Sequence, residues 1–202
     1  MVSVMSRRGG WWGVAFVLTL SVGAAMVSLP TATERGRQIN AFYTAHPAGI
    51  LVQQLLAIVA LGFLVAFAVA LGARRRRSLM IATVLLAITE LATNIPPAIL
   101  ALTNLDPDSA HALTVFEDIA DMALSLSIGV FAVAATMGQV AWVGAAGLVV
   151  AALSLVRVAV TPFSVRALDV VAPIAFLVLI LILSVRVLLG RDRRTLIGVA
   201  HR

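Results

Sequence analysis

Runs of about twenty apolar residues recur along this chain, each closed by a short polar or proline-bearing break. As a helix rising 1.5 Å per residue, such a run crosses the roughly 30 Å hydrocarbon core of a bilayer. The runs predict spans at roughly 11–29, 48–72, 79–103, 107–137, 140–160 and 168–189. The breaks support these starts. His46-Pro47 opens the second span and Asp106-Pro107 the fourth. Proline fits a first helical turn, and Asp106 is a candidate N-cap. Gly138-Gln139 forms a tight turn between the fourth and fifth spans, and Pro173 predicts a kink in the sixth. The alternation of a membrane β-barrel is absent. The expected fold is all-α: a polytopic transmembrane helical bundle, with residues 1–202 forming a single integral membrane domain.

Composition agrees. The 202 residues are 61% hydrophobic and only 12% charged, about half the charge fraction of a soluble domain. The net charge is +6, and every basic residue is arginine. Arg7, Arg8, Arg74 to Arg77, Arg191, Arg193, Arg194 and Arg202 fall on one side of the predicted spans. Glu34, Asp106, Asp108 and Asp169 fall on the other, with Arg35, Arg37 and Arg166. The positive-inside rule then places both termini in the cytoplasm. Trp11, Trp12 and Trp142 land at the inner interface, and Phe42, Tyr43 and Phe163 at the outer one, as aromatic belts. The first run is longer than a signal-peptide core and lacks a small-x-small cleavage site, so it reads as a retained helix. Basic patches interleaved with aromatics are absent, which argues against nucleic acid as a partner. With no cysteine there are no disulfides, thiol nucleophiles or thiolate metal sites. The arginine-, alanine- and valine-rich composition points to a GC-rich bacterial genome, and so to the bacterial cytoplasmic membrane.

The carboxylates alter this picture most. Glu117, Asp118 and Asp121 crowd the start of the fourth span. Three ionised carboxylates at a bilayer centre would cost roughly 8–10 kcal/mol. The apolar side chains of that span return only about 3–6 kcal/mol. Counting about twenty residues back from Thr136 makes Glu117 and Asp118 interfacial, and sets Asp121 about 6 Å inside. Glu117 and Asp118 are thus expected at a solvated outer helix end, which the helix dipole also favours. Asp121 divides between that reading and a site.

Glu90 falls near the bilayer midplane, where no arginine or histidine of another span reaches its depth. It is expected to be neutral. Asn94 lies one turn further out on the same face, with Thr93 beside it. Pro96 and Pro97 deprive the carbonyls of Ala92 and Thr93 of their helical donors. These groups suit a cation, a proton or a polar ligand; the competing reading is a helix-packing hydrogen bond. Gln53, Gln54, Asn94, Asp121 and Ser154 share the outer half, with Ser125 and Ser127 near the level of Glu90. Facing one another, they would form a polar funnel narrowing to Glu90 above an apolar plug. Facing different neighbours, each would satisfy itself locally.

Arg157 is expected to pair with Glu117, Asp118 or Asp169, as a salt bridge rather than an anion site. Arg186 is expected to snorkel. His46 and His111 open spans on the outer side, and His111 shares a face with Asp118 and Asp121. Tight metal-ligand spacing is lacking, so these are read as interfacial histidines; no metal and no cofactor is expected. Gly144, Gly147 and Ala151 make the fifth span's surface small, for internal packing or dimerisation. The arginine run 74–77 could meet anionic headgroups. No nucleophile-elbow, Walker, H-E-x-x-H or kinase signature occurs. Asp118 and Asp121 lack the glycine and arginine that membrane alcohol phosphotransferases place after such a pair.

Three further stretches carry a resemblance: "INAFYTAHPAGILVQQ" in the first outer loop, "LDPDSAHALTVFEDIADMAL" opening the fourth span, and "MGQVAWVGAAGLVVAAL" across the turn after it. With the arginine-rich inner loop, this layout resembles small multi-pass membrane proteins of actinobacterial type whose function is unknown. The resemblance implies architecture and origin, and brings no functional residue with it. Three functions remain in competition. The leading one is binding or transport of a small polar or cationic solute, coupled to ions or protons, through an outward vestibule. The second is an accessory subunit of a membrane complex, with a protein partner or a second copy. The third is an outward-facing enzyme using the carboxylate and histidine cluster.

Overall fold

The computed structural model describes residues 2–72, 76–161 and 166–190, without the side chains of 2–7, 76 and 166–167. Arg74, Arg75, Phe163, Arg191, Arg193, Arg194 and Arg202, which bear on orientation, lie outside the described residues. Among the described residues the chain is all-helical. Its seven helices are α1 (Val2–Ala24), α2 (Gly36–Ala45), α3 (Pro47–Leu71), α4 (Arg76–Leu102), α5 (Pro107–Thr136), α6 (Ala141–Val160) and α7 (Arg166–Leu188). Five of them, α3 to α7, are long and apolar enough to cross a membrane.

The six long helices close into a ring. α1 packs on α3, α3 on α4, α4 on α5, α5 on α6 and α6 on α7, and α7 returns to α1. Apolar side chains fill the middle: Phe16, Leu64, Phe67, Phe131, Phe176 and Leu183 are all buried. Phe176 meets Phe16 and Phe131 edge-on, each at 6.0 Å between ring centroids, the arrangement that aromatic quadrupoles favour. The outside is equally apolar, with Leu18, Val59, Ile88, Ile119, Leu148 and Val178 exposed. Helices that are hydrophobic all round suit hydrocarbon on one side and protein on the other.

Close approach decides two glycines. A Cβ on Gly10 of α1 would lie 2.6 Å from the Ser184 carbonyl oxygen of α7. A Cβ on Gly147 would run into Thr136 Oγ1 and lie 2.9 Å from the Ala132 carbonyl oxygen of α5. The small surface of α6 therefore packs internally at Gly147, while Gly144 has open space beside it. Gly138 makes the α5–α6 turn with φ 70°.

Two elements differ from the expected layout. The first helix ends at Ala24 rather than near 29, and starts before residue 11. The chain leaves the helix through a turn at Ala25 and Met26, ahead of Pro30. The segment 36–45, expected as outer loop, is the helix α2. Its Ile39 and Tyr43, four residues apart, are buried with Ile50, Leu100 and Ala110 in a small second core. α2 thus lies across one end of α3, α4 and α5. Asn40 Nδ2 donates to the Leu105 carbonyl, and the Arg35 N–H to Gln38 Oε1 at 3.1 Å.

Asp106 caps α5 as expected. Its Oδ1 accepts from the N–H groups of Asp108 and Ser109 at 3.1 and 3.0 Å, and its Oδ2 from Ser109 Oγ at 2.6 Å. The Ser109 hydroxyl and these backbone donors hold the Asp106 carboxyl below its ordinary value of 3.8. A depressed carboxyl stabilises the fold above its unfolded value and loses that contribution as pH falls through the folded one. Asp106→Ala is therefore expected to lower the melting temperature at neutral pH, with the deficit shrinking below about pH 4. Asp106→Asn should leave the melting temperature nearly unchanged at neutral pH, because asparagine caps as well as aspartate. Thermal unfolding in detergent across pH reads both effects.

Candidate functional site

Most polar side chains inside the long helices satisfy themselves on their own helix. Thr83 Oγ1 donates to the Leu79 carbonyl at 2.7 Å, Ser127 Oγ to Ala123 at 2.9 Å and Ser184 Oγ to Ile180 at 2.6 Å. Thr114 and Thr136 do the same four residues back. These groups contribute nothing to a shared polar surface.

A smaller set converges inside the ring near α2. A cavity of about 170 Å³ is lined by Gln53 and Gln54 of α3, Glu90, Thr93 and Asn94 of α4, and Glu117 of α5. Leu20, Gly23 and Ala24 of α1, Ala57 of α3 and Leu29 after α1 complete its wall. Small residues on α1 leave room at that wall. Beyond the cavity, away from α2, the ring is closed by the phenylalanine-rich core. The cavity is therefore lined by polar side chains of α3, α4 and α5, with apolar packing on the side away from α2.

The α4 residues form one unit. Asn94 Nδ2 donates to the Glu90 carbonyl at 2.6 Å and to Glu90 Oε1 at 3.2 Å. Thr93 Oγ1 donates to the same carbonyl at 2.8 Å. Pro96 and Pro97 follow within the helix, both buried, and supply no N–H to the turn before them. Three lining residues each keep a buried oxygen with no partner: Gln53 Oε1, Asn94 Oδ1 and Glu117 Oε2. Buried acceptors left unpaired each cost about 1–3 kcal/mol, so three around one cavity call for a donor.

Glu117 differs from its expected place. Instead of a solvated helix end it is partly buried against the cavity, beneath α2. α2 is the reason, since it covers a stretch of α5 that would otherwise face solvent. Tyr43 of α2 is buried with an unpartnered hydroxyl. Burial first, then the nearby carboxylates of Glu117 and Asp118, push the Tyr43 phenol far above its ordinary range. Tyr43 thus carries an unused donor in the helix that covers this part of α5. Reading 36–45 as loop missed this helix; the Ile39–Tyr43 spacing on a polar background was the available signal.

The remaining candidate residues lie apart from the cavity. Asp118 Oδ2 accepts from the Ala32 N–H at 3.0 Å, pinning the segment after α1 to α5. Asp121 pairs with Arg157 of α6: Nη2 to Oδ2 at 2.5 Å and Nη1 to Oδ1 at 3.4 Å. The same guanidinium reaches Ser125 Oγ, and its Nε lies 3.2 Å from Asp169 Oδ1 of α7. Arg157 therefore takes Asp169 and Asp121, not Glu117, and ties three helices. His46 sits in the α2–α3 corner, its Nδ1 3.1 Å from the Phe42 carbonyl and its ring 5.0 Å from that of Phe42. His111 carries a buried, unpartnered Nδ1. Among the described residues no group of three His, Asp or Glu side chains is placed to share a metal ion. Arg186 lies over the Trp142 ring at 5.6 Å.

No protein-family model matches the sequence, and neither a curated protein nor a solved structure is similar to it.

Proposed function

We propose that this is a six-span protein of the bacterial cytoplasmic membrane that binds a small, donor-rich cationic solute in the cavity beneath α2 and exchanges it for a proton. The observation that carries the reading is the convergence of two carboxyl groups, Glu90 and Glu117, with the unpaired acceptors of Gln53, Asn94 and Glu117. An ionised carboxylate standing alone in such a setting is costly. Each carboxyl is therefore best served by either a proton or a cation, which couples the two. An apolar cavity of about 150 Å³ takes a ligand the size of benzene. The 170 Å³ here suits a solute of about four to six heavy atoms, such as guanidinium or a short alkylammonium ion.

Several features support six spans. α1 is about 34 Å long at 1.5 Å per residue and completes the ring between α3 and α7. Arg8 at its start and the arginines around the α3–α4 connection favour the cytoplasm for that end, with α2 outside. The cavity then faces the exterior, and the phenylalanine-rich core is the barrier beneath it. Uptake into proteoliposomes tests the reading. With an acid interior, labelled guanidinium is expected to accumulate at least about tenfold over protein-free vesicles. Glu90→Gln should abolish that gain. Guanidinium uptake equal to that of empty vesicles would overturn the transport reading.

A further inference from the structure

A second, larger cavity of about 580 Å³ opens on the outside of the ring, away from the polar one. α5 forms its floor, and α4 and α6, which both pack on α5, form its walls. No charged side chain lines it; Ile81, Val130, Val133 and Leu155 are typical of its surface. The floor runs from Leu126 to Met137, about 16 Å along the helix axis. That is half of the roughly 30 Å hydrocarbon core, the depth of one leaflet. Ser78 and Met137 mark one end, and Arg77, exposed, lies one turn before Ile81 on the same face of α4. The other end stops at Ser154 and Leu155, in the second half of α6. A full transmembrane helix would need a groove twice as long. We infer that this groove seats one acyl chain of an anionic phospholipid from the leaflet at the arginine end, with its headgroup phosphate held at Arg77 and Ser78. The charge supplies selectivity: one arginine near a membrane surface favours an anionic lipid by about fivefold.

Native mass spectrometry of the detergent-purified protein tests the inference. The probe is an equimolar mixture of phosphatidylglycerol and phosphatidylcholine with the same acyl chains. The wild type is expected to retain one lipid, phosphatidylglycerol over phosphatidylcholine by about fivefold or more. Val130→Trp fills the floor at a half-exposed position outside the packed core, and should lose both lipids while keeping the wild-type melting temperature. Arg77→Gln should keep a lipid but bring the two headgroups toward equal retention. Equal retention by the wild type, or a Val130→Trp variant that holds lipid unchanged, would overturn the inference. So would a dimer that Val130→Trp dissociates, since a second copy would then occupy the groove. None of these outcomes depends on the polar cavity.

Discussion

Replacing Arg157 by methionine is expected to be the most damaging single change to stability, costing about 3 kcal/mol. The guanidinium is 15% exposed and joins α6 to Asp121 and Ser125 of α5 and Asp169 of α7. Without it, the Asp121 carboxylate stays on a membrane-length helix with no cation beside it. Asp121 is 42% exposed within the bundle, so the loss falls at the lower end for broken buried pairs. The sign of the second substitution makes the prediction sharp. Removing the stranded charge, as Arg157→Met with Asp121→Asn, should restore most of the loss and bring the double variant within about 1 kcal/mol of the wild type. Equilibrium unfolding in mixed micelles measures all three variants. A double variant no better than Arg157→Met would show that the arginine acts through packing rather than through the ion pair.

The second large effect is expected on ligand binding. Glu117→Gln and Glu90→Gln should each weaken the site for a small cation by about 10- to 100-fold, the worth of a hydrogen bond to a charged group. Each substitution keeps the shape of the side chain and removes its ability to ionise, so the melting temperature without ligand should hold. Tyr43→Phe removes a hydroxyl that has no partner in the unliganded protein. It should therefore spare stability. Titration of guanidinium against intrinsic fluorescence or thermal stability reads these effects. Unchanged affinity in both glutamine variants would remove the carboxylates from any binding role.

Much of the frame was legible in the chain because hydrocarbon imposes long, continuous apolar runs. The prolines at 47 and 107 and the capping Asp106 marked helix starts that the structure reproduces. The depth count isolated Glu90 with Asn94 and Thr93, and the structure joins them with Gln53 and Gln54 at one cavity. What stayed hidden depended on tertiary placement. α2 is only ten residues long, and its two buried side chains sit among polar ones. A hydropathy reading therefore passes over it. Missing α2 in turn left Glu117 in solvent, since depth counting sees the bilayer and not a helix lying across its edge. Arg157 had several carboxylates within reach by length alone. The rotation of α5, which no periodicity fixes on a helix that is apolar nearly all round, selected Asp121.

The central claim is that the cavity beneath α2 holds one small cation in exchange for a proton. Its most direct test is equilibrium binding of labelled guanidinium to the purified protein in nanodiscs, with proton release followed in weakly buffered solution. Saturable binding of one cation per chain, releasing up to one proton and lost in the Glu90→Gln/Glu117→Gln double variant, is the predicted result. Binding that does not saturate, or saturable binding that the double variant retains, would contradict it.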